Sequence, residues 1–380
     1  MQDKIYEIIA TAAFGLEGLV KRECQNLGFE NVHTSNGKVE FTGSFRDIVR
    51  ANLWLRSADR VLIKLLEFKA VSFEELFENL KVFDWWNYLS KNGKYIVNAR
   101  SLKSKLYSLR DIQAISKKAI VSALSKHYDK DWFFEDGEDY RIEISILKDL
   151  VTVGLDTSGA ALHKRGYRLK QNQAPMKETL AAALVQLSKW DGTRPLVDFC
   201  CGSGTILIEA AMLAKNIAPG ISRDFAFFKY PFFDKEVFRK EKKYCYEVMK
   251  KEKLDITGFD IDPKAVEIAR DNALNMGLED DINFVVKDMQ RVGLKDNFGV
   301  VISNPPYGQR LGDEKSLRLI YDSLKEKFKS LFTWSYYIIT ADKDFEREVG
   351  KQADQKRKLY NGRIEVDYYQ FIGPNPKDLF

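Results

Sequence analysis

From Pro195 to Ala341 the chain alternates strand-length apolar runs with helical patterns: "PLVDFC", "GTILIEAAMLAKN", "LDITGFDID", "PKAVEIARDNALNMG", "INFVVKD", "GVVISN", "SLRLIYDSLKEKFKSLF" and "SYYIITA". Runs that are apolar at nearly every position have no face suited to water. They belong to a parallel sheet covered on both sides by the helices between them. The second half is therefore a doubly wound α/β domain, whose ligands bind at the carboxyl ends of the strands. The tail "KRKLYNGRIEVDYYQFIG" departs from the pattern. Asn361-Gly362 between two β-rich runs predicts that the sheet ends in an antiparallel hairpin.

All nine prolines lie at or after Pro175, which sets a boundary just before "QNQAPMKETLAAALV". The proline-free half ahead of it reads as an α+β module. "KIYEIIATA" and "GKVEFTGS" are strands, and "FGLEGLVKRECQNLG" is an amphipathic helix stopped by Gly28. A second unit starts near Leu65 with "SFEELFENLKVFDWW", strand "KYIVNARS", helix "SLRDIQAISKKAIVSALSKHY" and "YRIEISILKDLVTVGLDTS". The expected division is 1–65, 66–155, a basic linker over 156–172, and 173–380. With 380 residues, 45% of them hydrophobic, the chain can build two or three cores.

Net charge is +5, which permits an anionic partner without demanding one. Its distribution is more telling. Between Lys91 and Lys130 ten basic residues face only two acids, Asp111 and Asp129. Lys103, Lys105, Arg110, Lys117 and Lys118 are the candidates there for gripping a phosphate backbone, although such a run also serves as a solvated helix face. The linker "LHKRGYRLKQNQ" adds Lys164, Arg165 and Arg168 around Tyr167, cations interleaved with a ring that can stack on a base. Four cysteines without CxxC spacing and three histidines predict no zinc site and reduced thiols. No stretch approaches a membrane span, and "MQDKIYEIIATAAFG" has no signal-peptide pattern, so a cytoplasmic location is expected.

Three strand ends carry the chemistry. "LVDFCCGSGTILIEAA" puts Asp198 at a strand end, then Gly202 and Gly204 before a helix. A dinucleotide site usually has a third glycine where this chain has Leu207. An acid there suits a ligand bearing an ammonium group, and D-x-x-x-G-x-G resembles the first motif of S-adenosylmethionine-dependent methyltransferases. In "GFDIDPKAVEIARDNA" Asp260 is placed to accept ribose hydroxyls, while Asp262 reads as the N-cap before Pro263. Asp260 follows Gly204 by 56 residues rather than about 20. The excess is an aromatic and basic stretch, 221–254, read as an insertion beside the cleft, either a flap or part of the substrate wall. Asp288 in "VVKDM" is positioned for an adenine amino group and serves equally as a turn aspartate.

"VISNPPYGQRLG" ends the following strand. An exocyclic amine on a nucleobase is a poor nucleophile because its lone pair is delocalised into the ring. Two acceptors aimed at its hydrogens, the Asn304 amide oxygen and the Pro305 carbonyl, would pyramidalise it. Pro305 and Pro306 fix that geometry, and Tyr307 can stack on the base.

With these residues in hand, the second half resembles the N-methyltransferases that carry an N-P-P-Y motif. The first half, with "SLKSKLYSLRDIQAISKKAI" and "VGLDTSGAALHKRGYRLKQNQAPMKETLAAAL", is similar to the ferredoxin-like segment and THUMP domain of RNA methyltransferases. Closest is the bacterial family that forms N2-methylguanine in 23S ribosomal RNA. The resemblance implies a Rossmann-like class I fold, S-adenosylmethionine as cofactor and RNA as partner, with no membrane and no metal. It implies a cofactor site of Asp198, Cys200, Gly202, Gly204, Asp260, Ile261, Asp288, Met289 and Asn304. The catalytic set it implies is Asn304, Pro305, Pro306 and Tyr307. Rival substrates are tRNA guanine N2, adenine N6 of DNA, or a protein glutamine amide; the basic first half weighs against the last two.

Overall fold

The computed structural model describes residues 4–130, 132–168, 176–295, 297–306 and 314–374. They form two compact units, each built on a seven-stranded sheet. No helix among the described residues is long and apolar enough to cross a membrane, and no three of their His, Cys, Asp and Glu side chains group as metal ligands. The four cysteines form no disulfide.

The first unit contains β1 (Tyr6–Ala12), α1 (Glu17–Asn26), β2 (Glu30–Ser35), β3 (Lys38–Gly43), α2 (Phe45–Trp54) and β4 (Ala58–Lys69). It continues with α3 (Phe73–Lys81), β5 (Lys94–Leu102), α4 (Leu109–Tyr128), β6 (Asp139–Leu147) and β7 (Leu150–Asp156). The order is β2-β3-β1-β4-β7-β6-β5, antiparallel except for the β5–β6 pair. The expected boundary at 65/66 falls inside β4, which pairs with β1 at Ile63 and with β7 at Lys69. One sheet therefore runs through both parts of the α+β module.

The second unit carries α5 (Glu178–Ser188), β8 (Leu196–Asp198) and α6 (Thr205–Ala214). A 3-10 turn (Ala226–Lys229) and helix α7 (Lys235–Glu247) come next in the chain but belong mostly to the first unit; the second unit resumes with β9 (Ile256–Asp260), α8 (Pro263–Leu274), β10 (Ile282–Val286) and β11 (Val300–Ser303). Its last elements are α9 (Glu314–Ser330), β12 (Ser335–Thr340), α10 (Phe345–Val349), β13 (Gln355–Asn361) and β14 (Ile364–Phe371). Strand order is β10-β9-β8-β11-β12-β14-β13, parallel through β12 and then antiparallel, as the hydrophobic pattern predicts. The hairpin turn is centred one residue later than expected. Asn361 still pairs with Ile364, and only Gly362 takes a left-handed φ of +66°.

The aromatic stretch behaves differently from the expectation of an insertion in the second half. Residues 223–243 pack within the first unit, and 13–19 within the second. Phe227 is fully buried and meets Phe45 edge-on, with ring centroids 5.8 Å apart. Tyr230 stacks on Tyr140 at 5.1 Å and donates to the Asp156 carbonyl. Arg223 donates to the carbonyls of Ala160 and Ala161, and Glu241 pairs with Arg46 on α2. Periodicity could not reveal this, because aromatic density marks burial without naming the surface covered.

Each fully buried aromatic contributes about 2–3 kcal/mol, so losing Phe225, Phe227 and Tyr230 removes an amount comparable to a domain's whole stability. Residues 1–162 alone are therefore expected to show no cooperative unfolding transition in urea. A synthetic 223–243 peptide added in trans should restore one. A cooperative, peptide-independent transition of 1–162 would contradict this packing.

Candidate cofactor and catalytic site

The site is built from the carboxyl ends of β8, β9, β10 and β11, within the second unit. After Asp198 the chain leaves β8 through a tight loop whose Gly202 and Gly204 have φ of +53° and +79°. Nothing lies within 4 Å of a Cβ placed on Gly202, whereas one on Gly204 would come within 2.8 Å of the Phe284 ring. The two glycines thus do different work. Gly204 lets the α6 N-terminus pack against β10, and Gly202 leaves its outer side open to a ligand. Asn272, buried on α8, donates to the Ser203 carbonyl at 3.0 Å and clamps the loop from behind.

Asp198 is 1% exposed, and its Oδ1 accepts from the Cys200 amide at 3.0 Å and from Ser303 Oγ at 2.6 Å. Burial pushes its carboxyl up to about 7, against the pull of these two donors and with a further push from Asp260. No basic side chain pairs with Asp198, Asp260 or Asp288 among the described residues. The Cys200 and Cys201 thiols are raised well above their ordinary range, first by burial and then by Asp198. They are neutral, so Cys200 contributes its backbone rather than a nucleophile.

Asp260 closes β9 with both oxygens in use: Oδ2 accepts from the Gly202 amide at 2.8 Å and Oδ1 from the Asp262 amide at 3.0 Å. Each oxygen keeps a lone pair for a hydroxyl. Asp262 caps α8 by accepting from the Lys264 amide, with Pro263 in the first turn, as expected. Beside Asp260, Ile261 is 71% exposed, an apolar surface suited to a flat ring. Asp288 accepts from the Gln290 amide and remains half-exposed. The Met289 side chain is buried in the core with Val197, Phe199 and Tyr321, so only its backbone could face a ligand.

Asn304 follows Ser303 at the end of β11. Its Oδ1 is buried with no hydrogen-bond partner among the described residues. A buried acceptor left so costs about 1–3 kcal/mol, a cost a donor on a ligand would remove. Pro305 is buried and Pro306 half-buried beside it, while Tyr307 lies outside the described residues. Ser303 and Asn272 were missed from sequence alone. Ser303 carried a signal, since it is the last inward-facing position before Asn304; Asn272 carried none.

The linker cations are corrected by the structure. Arg165 is 2% exposed and forks onto Glu209 of α6 at 3.3 and 3.4 Å; Tyr167, equally buried, donates to the same carboxylate at 3.3 Å. Arg168 donates to Thr205 Oγ1 and the Met176 carbonyl and pairs with Glu178 at 3.5 Å. All three side chains are spent holding α5 and α6, so none presents itself to RNA, and only Lys164 is exposed. The reason is Glu209, a buried acid inside an otherwise apolar helix, which needs a partner. In the first unit Lys103, Lys105, Arg110 and Lys118 are exposed, and Lys117 pairs with Glu135 at 2.7 Å. Arg110, Lys117 and Lys118 line a shallow groove of about 530 Å³ with Val97 and Val121. Tyr107, 82% exposed in the same basic loop, was overlooked.

The donor set at the strand ends fits S-adenosylmethionine: an uncompensated carboxylate for a cation, an acid for ribose and an apolar tip for adenine. If Asp198 faces the cationic end, ligand binding needs its ionised form. Affinity for S-adenosylhomocysteine should then be highest above pH 7 and fall up to tenfold per unit below it. Asp198→Asn should bind weakly with no such slope. Calorimetry between pH 5.5 and 8 checks this, and a flat wild-type profile would contradict it. Separately, Glu209→Ala should lower unfolding free energy by about 3–5 kcal/mol by stranding Arg165, while the double change Arg165→Met with Glu209→Leu should recover most of it.

Three family models match the chain: "RlmL ferredoxin-like domain" over 7–62, "THUMP domain" over 70–156, and "RMKL-like, methyltransferase domain" over 165–370. The chain is 47% identical to "Putative RNA methyltransferase YpsC" of Bacillus subtilis (strain 168), over 97% of its own length and 96% of that protein's. It is 34% identical to "Ribosomal RNA large subunit methyltransferase K/L" of Methylococcus capsulatus, over 96% of its length but only 51% of that protein's. It thus spans nearly all of one relative and about half of the other. A crystal structure described as "SMU.472, a putative methyltransferase complexed with SAH" superposes with a TM-score of 0.92 at 46% identity, covering 99% of this chain and 100% of that one. The chain belongs to the RMKL-like methyltransferase family, as an S-adenosylmethionine-dependent enzyme with a ferredoxin-like domain and a THUMP domain ahead of its methyltransferase domain.

Proposed function

We propose that this enzyme methylates RNA in the cytoplasm, at the exocyclic N2 of a guanine in 23S ribosomal RNA. The buried Asn304 Oδ1, without a partner among the described residues, carries the reading, because a buried amide oxygen at a strand end that lacks a donor calls for an N–H on the substrate. The name of the K/L relatives supports ribosomal RNA of the large subunit as acceptor. The exposed cations of α4 and the loop before it, with Tyr107 among them, support an RNA partner.

S-adenosylmethionine, when bound, supplies an electrophilic methyl group on a sulfonium. Asp198, Gly202, Asp260, Ile261 and Asp288 would hold it. Asn304 Oδ1 and the Pro305 carbonyl would accept the two hydrogens of the guanine amine and draw its lone pair out of the ring plane. The prolines keep these acceptors from reorienting, so little reorganisation is required during reaction. Tyr307 would stack on the base, which must be unpaired to enter. The amine's surplus proton is shed to water once the nitrogen is alkylated, so no strong base is needed.

Asn304→Ala is expected to leave S-adenosylhomocysteine affinity within about twofold of wild type and to cut methyl transfer about 10²-fold or more. The assay uses labelled donor with unmodified 23S rRNA transcript, bulk tRNA and DNA as separate acceptors, followed by nucleoside mass spectrometry. N2-methylguanosine from the 23S transcript alone fits the proposal. Transfer to tRNA, or N6-methyladenine in DNA, would replace it.

A further inference from the structure

The β13–β14 hairpin reaches well past the strand ends that hold the catalytic residues. Register shows by how much. Ser303 on β11 lies level with Ile338 on β12, so Asn304 is level with Ile339, which pairs with Tyr368 on β14. β14 starts at Ile364, four residues further in the same direction, or about 13 Å at 3.3 Å per residue. In the sheet β14 stands two strands from β11, about 10 Å across. The hairpin tip thus forms a wall along one side of the Asn304 corner, rising above it.

The chemistry of the tip is uneven. Lys343 and Lys358 are neutralised by Glu365, at 3.0 and 3.1 Å, and Lys343 also by Asp367. Arg363, exposed in the turn itself, has no carboxylate partner among the described residues. Beside it Ile364 is half-exposed, and Tyr360 meets Phe14 edge-on at 5.8 Å. Phe14 is 62% exposed although it belongs to the second unit's own packing. An unpaired guanidinium beside uncovered aromatic surface suits a phosphate with an adjacent unstacked base. Pulling a target base out of its stack leaves the flanking nucleotides single-stranded, which is the form such a surface accepts.

We infer that the β13–β14 hairpin is a second RNA-binding element, in which Arg363 grips a phosphate next to the target nucleotide and the Phe14–Tyr360 pair receives a flanking base. The inference rests on the RNA methyltransferase reading above. It differs from the basic surface of the first unit in predicting a contact local to the reacting nucleotide.

The test measures steady-state methyl transfer to unmodified 23S rRNA transcript, together with the salt dependence of binding that transcript, for wild type, Arg363→Ala, Arg363→Glu and Arg363→Lys. Arg363→Ala should raise KM for RNA about three- to tenfold, with kcat at saturating RNA within twofold. It should also lower the slope of log affinity against log salt by about 0.7, the value for one phosphate contact on a single strand. Arg363→Glu should be worse, and Arg363→Lys should restore the slope. S-adenosylhomocysteine affinity and the thermal midpoint should not move, because the side chain is exposed and distant from the cofactor loop. An Arg363→Glu enzyme with unchanged KM and salt slope would overturn the inference. Failure of the proposed function itself is separately visible, since wild type would then methylate no RNA before any variant is compared.

Discussion

The hydrogen bond from Ser303 to Asp198, 2.6 Å long, joins the ends of the two central strands of the second sheet. On one strand it steadies the acid that begins the cofactor loop. On the other it fixes the residue immediately before Asn304. A donor site and an acceptor-orienting amide set on separate loops could drift by an ångström, and a misplacement of that size costs much of the benefit of orientation. Here both are anchored to adjacent parallel strands, β8 and β11, paired at Val300–Leu196 and Val301–Val197. The bond also explains why a fully buried carboxylate survives with no cation beside it: two donors hold it while it stays poised near neutrality.

Around that bond the second unit spends its remaining polar side chains on rigidity. Asn272 ties the glycine loop to α8, Asp260 reaches back to the Gly202 amide, and the Arg165–Glu209–Tyr167 cluster locks the stretch before α5 onto α6. Buried ionic clusters of this kind add little net stability but penalise alternative packings. Their role is to hold the α6 N-terminus, and with it the loop, in one position. The first unit achieves its unity by other means, with β4 common to both halves of its sheet and an aromatic segment from far along the chain completing its core.

The second domain's architecture was legible because buried parallel strands leave an unambiguous trace, and because acids and glycines at strand ends have local causes. Asp262 as a cap before Pro263 is one such case. What stayed hidden depended on distant partners. Arg165, Tyr167 and Arg168 look like a nucleic-acid contact in a one-dimensional string, since arginines near a tyrosine carry the same composition whether they face phosphate or a buried glutamate. Glu209, interrupting "TILIEAAMLA", was the clue, but its partners lie 42 and 44 residues away. The burial of the Met289 side chain was hidden for a similar reason, as adjacency to Asp288 does not reveal that it points into the core. The packing of 223–243 required knowledge of which surface its rings cover.

The central claim is that the buried amide oxygen of Asn304 awaits a substrate N–H. A crystal structure of the enzyme with S-adenosylhomocysteine and a guanosine-containing RNA fragment tests it most directly. The account predicts the guanine N2 within about 3.2 Å of Asn304 Oδ1, with the cofactor sulfur out of the ring plane and facing that nitrogen from the side opposite its two hydrogens. It is contradicted if that oxygen is bonded to another protein group in the complex, or if the base sits against a different strand end.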